Sequence, residues 1–287
     1  MVADRKSALT RRQQQIADHV IREGETTYSR LADLFRVSQM TAYRDAQRLD
    51  EFGLVRRVRG GITPQPSSVF ESSLEFRAQM HRAEKEALSR ACFEMIEPGM
   101  SVIVDDGTTL MPLAAELHRL APLTVMTTFL PIVSELAGVE GISLMILGGT
   151  YRERYDAAGG VLCADMVSRL RADLLFLCPS AVQGGRVLHQ DEDMIVTKRA
   201  MMESSDHRVL VADHSKLGRR ALHTLAPVSA FQALLTDDGA DAGALEHVQD
   251  HGVPVTVVAT DPAGAQPDGE PTEQDGFGPR SGGRATP

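Results

Sequence analysis

Five consecutive residues, Asp105-Asp106-Gly107-Thr108-Thr109, have the chemistry of a phosphate-binding loop. Gly107 has no Cβ and lets a ligand approach the backbone closely. Thr108 and Thr109 offer hydroxyl groups, and free N–H groups at the start of a following helix favour an anion. The same residues also fit a plain turn with a capping threonine and no ligand. The chain contains no G-x-x-x-x-G-K-[ST] sequence, which disfavours nucleotide hydrolysis.

Similar residues follow other short apolar runs of the chain. Hydroxylated, small or charged residues end the runs LTVMTT, ISLMILGG and VLVADHSK. Because open α/β sheets bind ligands beyond the carboxyl ends of their strands, we expect these residues to converge on one pocket. Taken singly, Lys198 also fits a solvated charge, and Asp213-His214-Ser215-Lys216 a structural turn. The candidate ligand-binding residues are Asp105, Gly107, Thr108, Thr109, Thr127, Thr128, Gly148, Gly149, Arg152, Lys198, Asp213, Ser215 and Lys216.

A second group of residues has the chemistry of nucleic-acid binding. Between Val37 and Gly61, a helical pattern with a polar face is followed by a short strand that carries three arginines and no acid. A helix fits the major groove of DNA, where side chains reach base edges, and arginines on a hairpin reach flanking phosphates. The alternative is an amphipathic surface helix with a solvated charge run. The candidate DNA-binding residues are Ser38, Gln39, Thr41, Tyr43, Arg44, Arg48, Arg56, Arg57 and Arg59.

The elements that would position these arginines follow from local patterns. Ser38 is the expected N-cap of the recognition helix, and Gly53 is expected to take the left-handed position after it. An apolar stripe predicts a preceding helix, and a three-residue turn between the two gives the spacing of a helix-turn-helix unit. An earlier helix is expected from about Arg11 to Glu23. The expected inward-facing residues are Tyr28, Leu31, Leu34, Phe35, Ala42, Ala46 and Leu49.

The charge of the chain is divided unevenly. The net charge of the 287 residues is −9, but residues 1–66 hold 12 Lys and Arg against 8 Asp and Glu, and the remainder holds 18 against 31. The first segment therefore carries +4 and the rest −13, which assigns any contact with nucleic acid to the N-terminal part. The 5% aromatic content and the lack of Trp disfavour a protein that stacks single-stranded bases.

The cysteines and the hydropathy favour a cytoplasmic protein. Cys92, Cys163 and Cys178 form no C-x-x-C pair, which disfavours a zinc ribbon or a disulfide framework, and buried thiols are expected. No run approaches the roughly 20 apolar residues of a membrane helix, and the N-terminus has no apolar signal core. We expect no membrane partner and no metal.

The order of the predicted elements gives the fold class. A helical segment from Phe70 to Ile96 follows a Pro/Ser-rich linker. Beyond it, apolar runs alternate with helical stretches, which indicates an α/β domain with a mostly parallel sheet covered on both faces. We predict a winged helix-turn-helix domain over residues 1–63, a linker and connecting helix over 64–98, a ligand-binding domain over 99–262 and a disordered tail over 263–287.

Together these motifs resemble the DeoR family of bacterial transcriptional regulators. The similarity runs from about Arg11 to about Asp238, with the motifs in the order of the family. The N-terminal match consists of Val37-Ser38, Thr41, Arg44-Asp45, Leu49, Gly53 and a wing from Arg57 to Gly60-Gly61. The C-terminal match consists of Asp105–Thr109, Thr127-Thr128, Leu147–Gly149 with Arg152, Thr197-Lys198-Arg199-Ala200 and Asp213–Gly218.

The resemblance implies a repressor of carbohydrate-metabolism genes that a phosphorylated sugar releases from double-stranded operator DNA. It implies that the ligand-binding residues bind this effector, in a domain similar to ribose-5-phosphate isomerase. Repeated half-sites in operators imply at least a dimer. Three departures from the family pattern suggest an unusual effector or one bound weakly: Thr128 replaces an asparagine, His214 a serine, and Cys178-Pro179-Ser180-Ala181 a glycine-bearing segment. A fourth departure concerns DNA, since Tyr43 replaces an arginine and offers contact with a phosphate or a sugar in place of the usual base contact.

Two other functions fit parts of the sequence. A sugar-phosphate isomerase or acyltransferase on the same scaffold would use Asp105, Asp106, Asp213 and Lys216 for acid–base chemistry. The basic N-terminal segment would then have no role. A DNA-binding regulator with a vestigial pocket would fit the departures from the family. The repressor hypothesis, which needs no catalytic residue and no cofactor, accounts for both groups of residues.

Overall fold

The structure, a computed structural model, describes residues 9–64 and 74–260. The tail predicted to be disordered lies outside these residues, as does most of the Pro/Ser-rich linker. Within the described residues, three helices and a β-hairpin with an added short strand form a winged helix-turn-helix, called the head below. The head contains α1 (Arg11–Glu23), β1 (Thr26–Thr27), α2 (Tyr28–Leu34), α3 (Gln39–Glu51), β2 (Val55–Val58) and β3 (Gly61–Pro64).

The head folds around the small apolar core that helical periodicity predicts. Ile16 of α1, Leu31 of α2 and Leu49 of α3 are wholly buried. The expectation that Leu34 joins them is wrong, since its side chain is 52% exposed. At about 100° per residue, a position six residues after Tyr28 is turned roughly 120° away from it, so Leu34 leaves the buried stripe.

The wing is an antiparallel sheet with the strand order β1-β3-β2. Arg57 of β2 pairs with Ile62 of β3. Gly60 takes a φ of +84° at the turn, a conformation that favours glycine. Gly61 is needed for space, because a Cβ there would lie 2.2 Å from the Thr26 carbonyl oxygen of β1. The two glycines therefore turn the wing and let β1 join it.

Two short helices, called the connector below, join the head to the rest of the chain. They are α4 (Leu74–Gln79) and α5 (Arg82–Phe93), so the predicted helical segment contains two helices. His81 separates them with a φ of +54°, in the left-handed region that a helix does not continue through. Phe76 of α4 belongs to the core of the head, whereas Leu88 of α5 belongs to a core of the following domain. The connector thus contacts both parts.

The remaining described residues form an α/β domain, called the body below. Strands and helices alternate along most of it, as the sequence predicts. In chain order it contains β4 (Ser101–Val104), α6 (Met111–Glu116), β5 (Leu123–Thr127), α7 (Leu130–Leu136), β6 (Ile142–Ile146), β7 (Thr150–Arg152), β8 (Ala157–Gly159), α8 (Val161–Val167), β9 (Ala172–Leu177), β10 (Ala181–Gln183), β11 (Arg186–His189), α9 (Glu192–Glu203), β12 (Ser205–Val211), β13 (His223–Pro227), β14 (Ala233–Asp237), α10 (Ala242–Gln249) and β15 (Val255–Val258).

The main sheet of the body has seven strands in the order β15-β14-β12-β9-β4-β5-β6. All of its strand pairs are parallel, which confirms the predicted fold class. Val102 and Val104 of β4 pack in one apolar core and Ile103 in the other, because successive strand residues point to opposite faces. The carboxyl ends of the adjacent strands β4, β9 and β12 therefore meet at one edge.

Two small antiparallel sheets of the body are not indicated by the sequence. One is the hairpin β7-β8, and the other has the order β10-β11-β13. Their strands are three to five residues long. Such short strands do not show a clear alternating pattern. They matter for function because residues at their ends reach the cavity described below.

The thiols and the helix lengths agree with the sequence. Cys92, Cys163 and Cys178 are free and buried, as predicted. Over residues 9–64 and 74–260, no helix combines the length and apolar character that crossing a bilayer requires.

Candidate functional site

Three buried charges meet where β4 ends. Lys198 Nζ lies 2.5 Å from Asp105 Oδ2 and 2.5 Å from Asp106 Oδ1. Asp105 also accepts a hydrogen bond from the Cys178 backbone N–H at 2.9 Å. The Lys198 side chain is only 1% exposed, so the interpretation of Lys198 as a solvated charge is wrong. α9 carries it onto the end of the sheet, and periodicity alone could not show that.

These charges control one another's protonation. Burial raises the pKa of Asp106 to about 7, and the Asp105 carboxylate adds to this effect against the opposing charge of Lys198. Burial acts the same way on Asp105, but Lys198 and hydrogen bonds hold the pKa of Asp105 below its usual range. Burial acts to lower the pKa of Lys198, and the two carboxylates raise it overall. One ammonium facing two carboxylates therefore leaves Asp106 as the group that binds a proton near neutral pH.

Asp106 joins this cluster to a cavity of about 120 Å³ at the same edge of the sheet. Six of the predicted ligand-binding residues line the cavity: Gly107, Thr108, Thr109, Asp213, Ser215 and Lys216. The sequence did not single out the other lining residues as ligands. These are Ile21, Phe76, Arg77, Met80, His81, Lys85, Tyr155, Cys178, Pro179, Ser180, His189 and Arg219.

The loop after β4 is held close to the segment after β9. A Cβ on Gly107 would lie 2.4 Å from the Cys178 Cβ, so glycine is needed here for space. Thr108–Leu110 then forms a single 3-10 turn, whose first N–H groups have no partner within the turn. Ser89 of α5 donates a hydrogen bond to the Thr109 carbonyl at 3.0 Å. The loop thus presents hydroxyl and N–H donors to the cavity and is tied to the connector.

The turn after β12 brings a buried carboxylate to the cavity. Asp213 is 1% exposed, and its Oδ1 accepts hydrogen bonds from the Ser215 backbone N–H at 3.0 Å and from the Ser215 hydroxyl. Burial acts to raise the pKa of Asp213, but the charges of Lys216 and His81 hold it below its usual range. The turn is therefore structural and also part of the cavity wall.

Lys85 of α5 makes the cavity cationic in a pH-dependent way. It is 5% exposed and donates a hydrogen bond to the Arg77 carbonyl. Burial lowers the pKa of Lys85 to about 7, against the opposing charge of Asp213. With Arg77, Lys216 and Arg219 also in the lining, Lys and Arg outnumber the aspartates there. Such a lining suits a phosphate or another small anion.

Two predicted threonines lie under the sheet edge and not in the cavity wall. Thr127 and Thr128 are wholly buried. The Thr127 hydroxyl oxygen accepts a hydrogen bond from the Phe129 backbone N–H at 3.1 Å. The Thr128 carbonyl accepts one from Ala158. Both threonines hold the β7-β8 hairpin region and the start of α7 against β5, so contact with an effector stays a prediction for them.

Three further predicted residues lie on the far side of that hairpin. Gly148 and Gly149 are exposed. A Cβ on Gly149 would lie 2.7 Å from the Gly159 carbonyl oxygen, which explains the need for glycine there. Arg152 forms an ion pair with Asp193 and lines a separate shallow cleft. The structure does not bring these three residues to the cavity.

One sequence signal could have indicated some of the missed residues. Arg77, His81 and Lys85 are spaced four residues apart, which places basic groups on one side of a helical segment. Tyr155 and His189 gave no such signal, because Tyr155 lies in the turn between β7 and β8 and His189 ends β11, and these strands are too short to recognise. Only the folding of the connector onto the sheet edge brings these segments together.

The candidate DNA interface is built on α3. Ser38 Oγ accepts a hydrogen bond from the Thr41 backbone N–H at 3.1 Å, which confirms the predicted N-cap. Gly53 has a φ of +69°, as predicted for the residue that ends this helix. Ala42, Ala46 and Leu49 are buried, and the opposite face of α3 is exposed. Met40, Tyr43, Arg44 and Gln47 are exposed on that face.

The wing is fixed to the recognition helix by one arginine. Arg57 Nε lies 3.1 Å from Asp50 Oδ2, and Arg57 Nη1 donates a hydrogen bond to the Tyr43 hydroxyl at 3.1 Å. Asp50 raises the pKa of Arg57 through this hydrogen bond. Arg56 and Arg59 are exposed on the same hairpin. Tyr43, which departs from the family pattern, thus accepts a hydrogen bond from the wing arginine.

A basic winged helix-turn-helix joined to an α/β domain with a cationic cavity defines a class, the DNA-binding regulators that carry a sensor domain. Family models place the chain more closely. The DeoR-like helix-turn-helix domain matches residues 12–67, and the DeoR C terminal sensor domain matches residues 80–238. The second match alone covers more than half of the chain. The chain therefore belongs to the DeoR family.

Curated relatives match this chain in sequence along most of their own length. The glycerol-3-phosphate regulon repressor of Escherichia coli K12 is 31% identical over 84% of this chain and 96% of its own. The putative aga operon transcriptional repressor of Escherichia coli O157:H7 is 28% identical over 88% of this chain and 96% of its own. The transcriptional repressor AccR of Agrobacterium fabrum is 32% identical over 79% of this chain and 89% of its own. These relatives favour the regulator hypothesis over the isomerase alternative.

Solved structures add a weaker comparison. Ribose 5-phosphate isomerase A from Methanocaldococcus jannaschii is 14% identical, with a TM-score of 0.34 over 46% of this chain and 52% of its own. A TM-score of this size carries no weight. The fold class rests on the strand order of the body.

Proposed function

We propose that this protein represses carbohydrate-metabolism genes by binding operator DNA through α3 and the wing, and that a phosphorylated sugar in the cavity releases it. The DNA contacts are the exposed polar face of α3 and the arginines of the hairpin, and at least two copies bind repeated half-sites. The effector contacts are the six predicted residues that line the cavity, together with Lys85, Arg77 and Arg219.

One observation carries the proposal: the connector contacts both the cavity and the core of the head, on which the DNA-binding surface is built. Phe76 of α4 is packed in the core of the head and also lines the cavity. Met80 does the same. Gln79 accepts a hydrogen bond at 3.2 Å from the Gln14 side chain of α1. A ligand that moves the connector must therefore move the surface on which α1 rests.

The charges around the cavity support a phosphate as the part of the ligand that is recognised. Lys85 and Lys216 lie beside the hydroxyl groups of Thr108 and Thr109 in one lining. Phosphate oxygens accept hydrogen bonds from such groups, and charge-assisted bonds are the stronger ones. The carboxylates of Asp106 and Asp213 in the same wall would accept hydrogen bonds from sugar hydroxyls.

Coupling between the two sites has an expected size. Allosteric coupling free energies are typically about 1–3 kcal/mol, so the effector should weaken DNA binding roughly 5- to 150-fold. The effect is reciprocal: operator DNA should weaken effector binding by the same factor. A weakening of DNA binding that levels off at saturating effector would distinguish coupling from simple competition for a basic surface, in which the weakening grows with every further addition of effector.

The test is fluorescence anisotropy of the full chain on labelled DNA from upstream of its own gene, at fixed salt. A panel of sugar phosphates would be added, with inorganic phosphate and the unphosphorylated sugars as controls. We expect one sugar phosphate to release the DNA and its parent sugar to have no effect. Tight binding that no compound releases would support the vestigial-pocket alternative.

Matched variants assign the two sites separately. Lys216→Gln should bind DNA like the parent protein but resist release by the effector. Arg59→Ala should bind DNA more weakly and lower the salt slope by about 0.9, the value for one lost phosphate contact. Arg169→Ala, on the exposed surface of the body, is the control and should change neither property. A salt slope that Arg59→Ala leaves unchanged would exclude this arginine from the interface.

The isomerase alternative has one observation in its favour, the position of Asp106 in the cavity wall with a pKa of about 7. A group that titrates near neutrality can act as a general acid or base. Incubation of the full chain with each aldose phosphate of the panel, followed by product analysis, would detect turnover. Binding without turnover would support the regulator hypothesis.

A further inference from the structure

Two histidines and an aspartate from distant segments meet at the rim of the cavity. One ring nitrogen each from His81 and His214 and one carboxylate oxygen of Asp213 lie within 4.8 Å of one another. The two imidazole rings are 4.9 Å apart between centroids and nearly perpendicular. Imidazole nitrogen and carboxylate oxygen are the donors that Zn²⁺ and similar divalent ions bind. We infer that His81, Asp213 and His214 form a binding site for a divalent transition-metal ion, with Zn²⁺ as the preferred ion.

The surroundings of His214 fix its ring as they do in metal-binding histidines. His214 Nδ1 lies 2.7 Å from Asp237 Oδ2, and the His214 backbone N–H donates to Asp237 Oδ1 at 2.6 Å. Gly239 N–H also donates to Asp237 Oδ2 at 3.1 Å. A carboxylate that binds Nδ1 leaves Nε2 as the metal-binding atom and holds the ring in one orientation.

The fold leaves space for this arrangement. A Cβ on Gly239 would lie 2.8 Å from His214 Nδ1 and 2.9 Å from Asp237 Oδ2. Glycine at this position therefore permits the His214–Asp237 pair. The Asp237 side chain is only 1% exposed, so it anchors the half-buried His214 ring in the body.

His81 is held at the rim by the backbone of the connector. It occupies the left-handed position between α4 and α5, and its Nδ1 lies 3.8 Å from Glu84 Oε1. Glu84 also approaches His214 and Asp237 closely enough to form a second possible donor group with them. Both histidines thus have a carboxylate behind them, which raises the basicity of a metal-bound imidazole.

The local charge also favours a cation. Asp213, Asp237 and Glu84 supply three carboxylates, whereas two ammonium groups, Lys85 and Lys216, lie within electrostatic reach of Asp213. A divalent ion held by these donors would therefore have carboxylates close to it, although Lys and Arg outnumber the aspartates in the cavity lining as a whole. Since His81 and Asp213 line the cavity, the open coordination position would face it and could hold water or a ligand oxygen.

Metal binding needs only a small contraction of the site. Zinc bonds of about 2.0–2.1 Å in a tetrahedral site place the ligand atoms roughly 3.3 Å apart. The donor atoms must therefore approach by about 1.5 Å at most. The ion would link His81 of the connector to His214 of the body. This proposal does not depend on the identity of the effector.

The test is isothermal titration calorimetry of the full chain with ZnCl₂, after removal of bound metal with a chelator and without any sugar phosphate. We expect one equivalent of Zn²⁺ to bind. His214→Ser and His81→Asn should each weaken binding at least about tenfold. Asparagine is chosen at position 81 because it tolerates the left-handed conformation. His207→Asn, at an exposed histidine near the start of β12, is the matched control and should bind like the parent protein.

Two further measurements keep the result interpretable. Zn²⁺ should raise the thermal unfolding temperature of the parent protein and of His207→Asn, but not of the other two variants, whose metal-free melting shows that they fold. CoCl₂ should give the absorption of a nitrogen–oxygen site without a sulfur charge-transfer band. Cys178→Ser should therefore retain binding. The assignment would be overturned if the parent protein bound no Zn²⁺. It would also be overturned if both His81→Asn and His214→Ser bound Zn²⁺ like the parent protein, or if Cys178→Ser lost binding.

Discussion

The head and the cavity of the body place their charges in opposite environments. In the head, most of the arginines predicted to bind DNA are exposed on one continuous stretch of sequence, and the buried residues of α3 are mainly apolar. At the cavity, Lys198, Asp105 and Asp106 are wholly or almost wholly buried and come from segments far apart in the sequence. Substitutions of the exposed charges in the head can therefore leave its apolar core unchanged. Substitutions of the charges at the cavity change contacts inside the body.

The energetic consequence follows from solvation. Exposed ion pairs contribute about 0–1 kcal/mol, because water screens them. Removing one partner of a buried pair costs roughly 3–5 kcal/mol, because the other charge stays buried without compensation. Substitutions in the head should therefore change DNA binding more than stability, and substitutions around the cavity should do the reverse unless they keep the charge balance.

The largest expected effect is at Lys198. Lys198→Ala leaves two buried carboxylates without an ammonium and should lower the free energy of unfolding by roughly 3–5 kcal/mol. Urea unfolding of the full chain measures this. Arg169→Ala removes an exposed ion pair with Asp165 and should change it by less than about 0.5 kcal/mol. Equal changes in the free energy of unfolding for Lys198→Ala and Arg169→Ala would contradict the expectation that the buried ion pairs contribute more to stability than the exposed one.

The next effect is at Gly107. Gly107→Ala places a Cβ 2.4 Å from the Cys178 Cβ, and overpacking of this kind destabilises by about 1–3 kcal/mol. The same change should narrow the cavity and weaken effector binding, measured by calorimetry. Cys178→Gly in the double variant should restore stability. A double variant no more stable than Gly107→Ala would mean that this contact is not the cause.

Lys85 gives the cavity a pH dependence. Its pKa falls to about 7 in the folded protein, from 10.5 for an ordinary lysine, so the folded state binds fewer protons between these values. The contribution of Lys85 to the free energy of unfolding should therefore increase with pH in that window, by at most about 2 kcal/mol between about pH 7 and 9. The difference in unfolding free energy between the parent protein and Lys85→Met measures it. A difference that stays constant with pH would contradict the assignment.

The smallest effect is at the N-cap of the recognition helix. Ser38→Ala removes the hydrogen bond to Thr41 N–H and should destabilise the head by about 1 kcal/mol. Ser38→Asp keeps an acceptor and should restore the helix, while its negative charge should still weaken DNA binding. Circular dichroism during unfolding measures the stability of each variant, and fluorescence anisotropy on operator DNA measures its DNA binding. Equal stability of the alanine variant and the parent would show that the cap is dispensable.

Local patterns in the sequence were sufficient where a few neighbouring residues decide the structure. The bounds Arg11–Glu23 of α1, the Ser38 cap, the left-handed Gly53 and the parallel class of the main sheet all follow from such patterns. The wrong prediction for Leu34 also came from a local pattern. Leu34 lies six residues after Tyr28, and helical geometry turns its side chain away from the buried face of α2.

The sequence by itself determined the two domain types, the N-terminal location of the basic surface and about a third of the cavity lining. It did so because capping, periodicity and charge segregation are properties of adjacent residues. Only the tertiary structure decided that Lys198 is buried, that Arg152 turns to Asp193, and that His81 meets His214. Those outcomes depend on which distant segments pack together, since burial and opposing charge act only after the chain has folded.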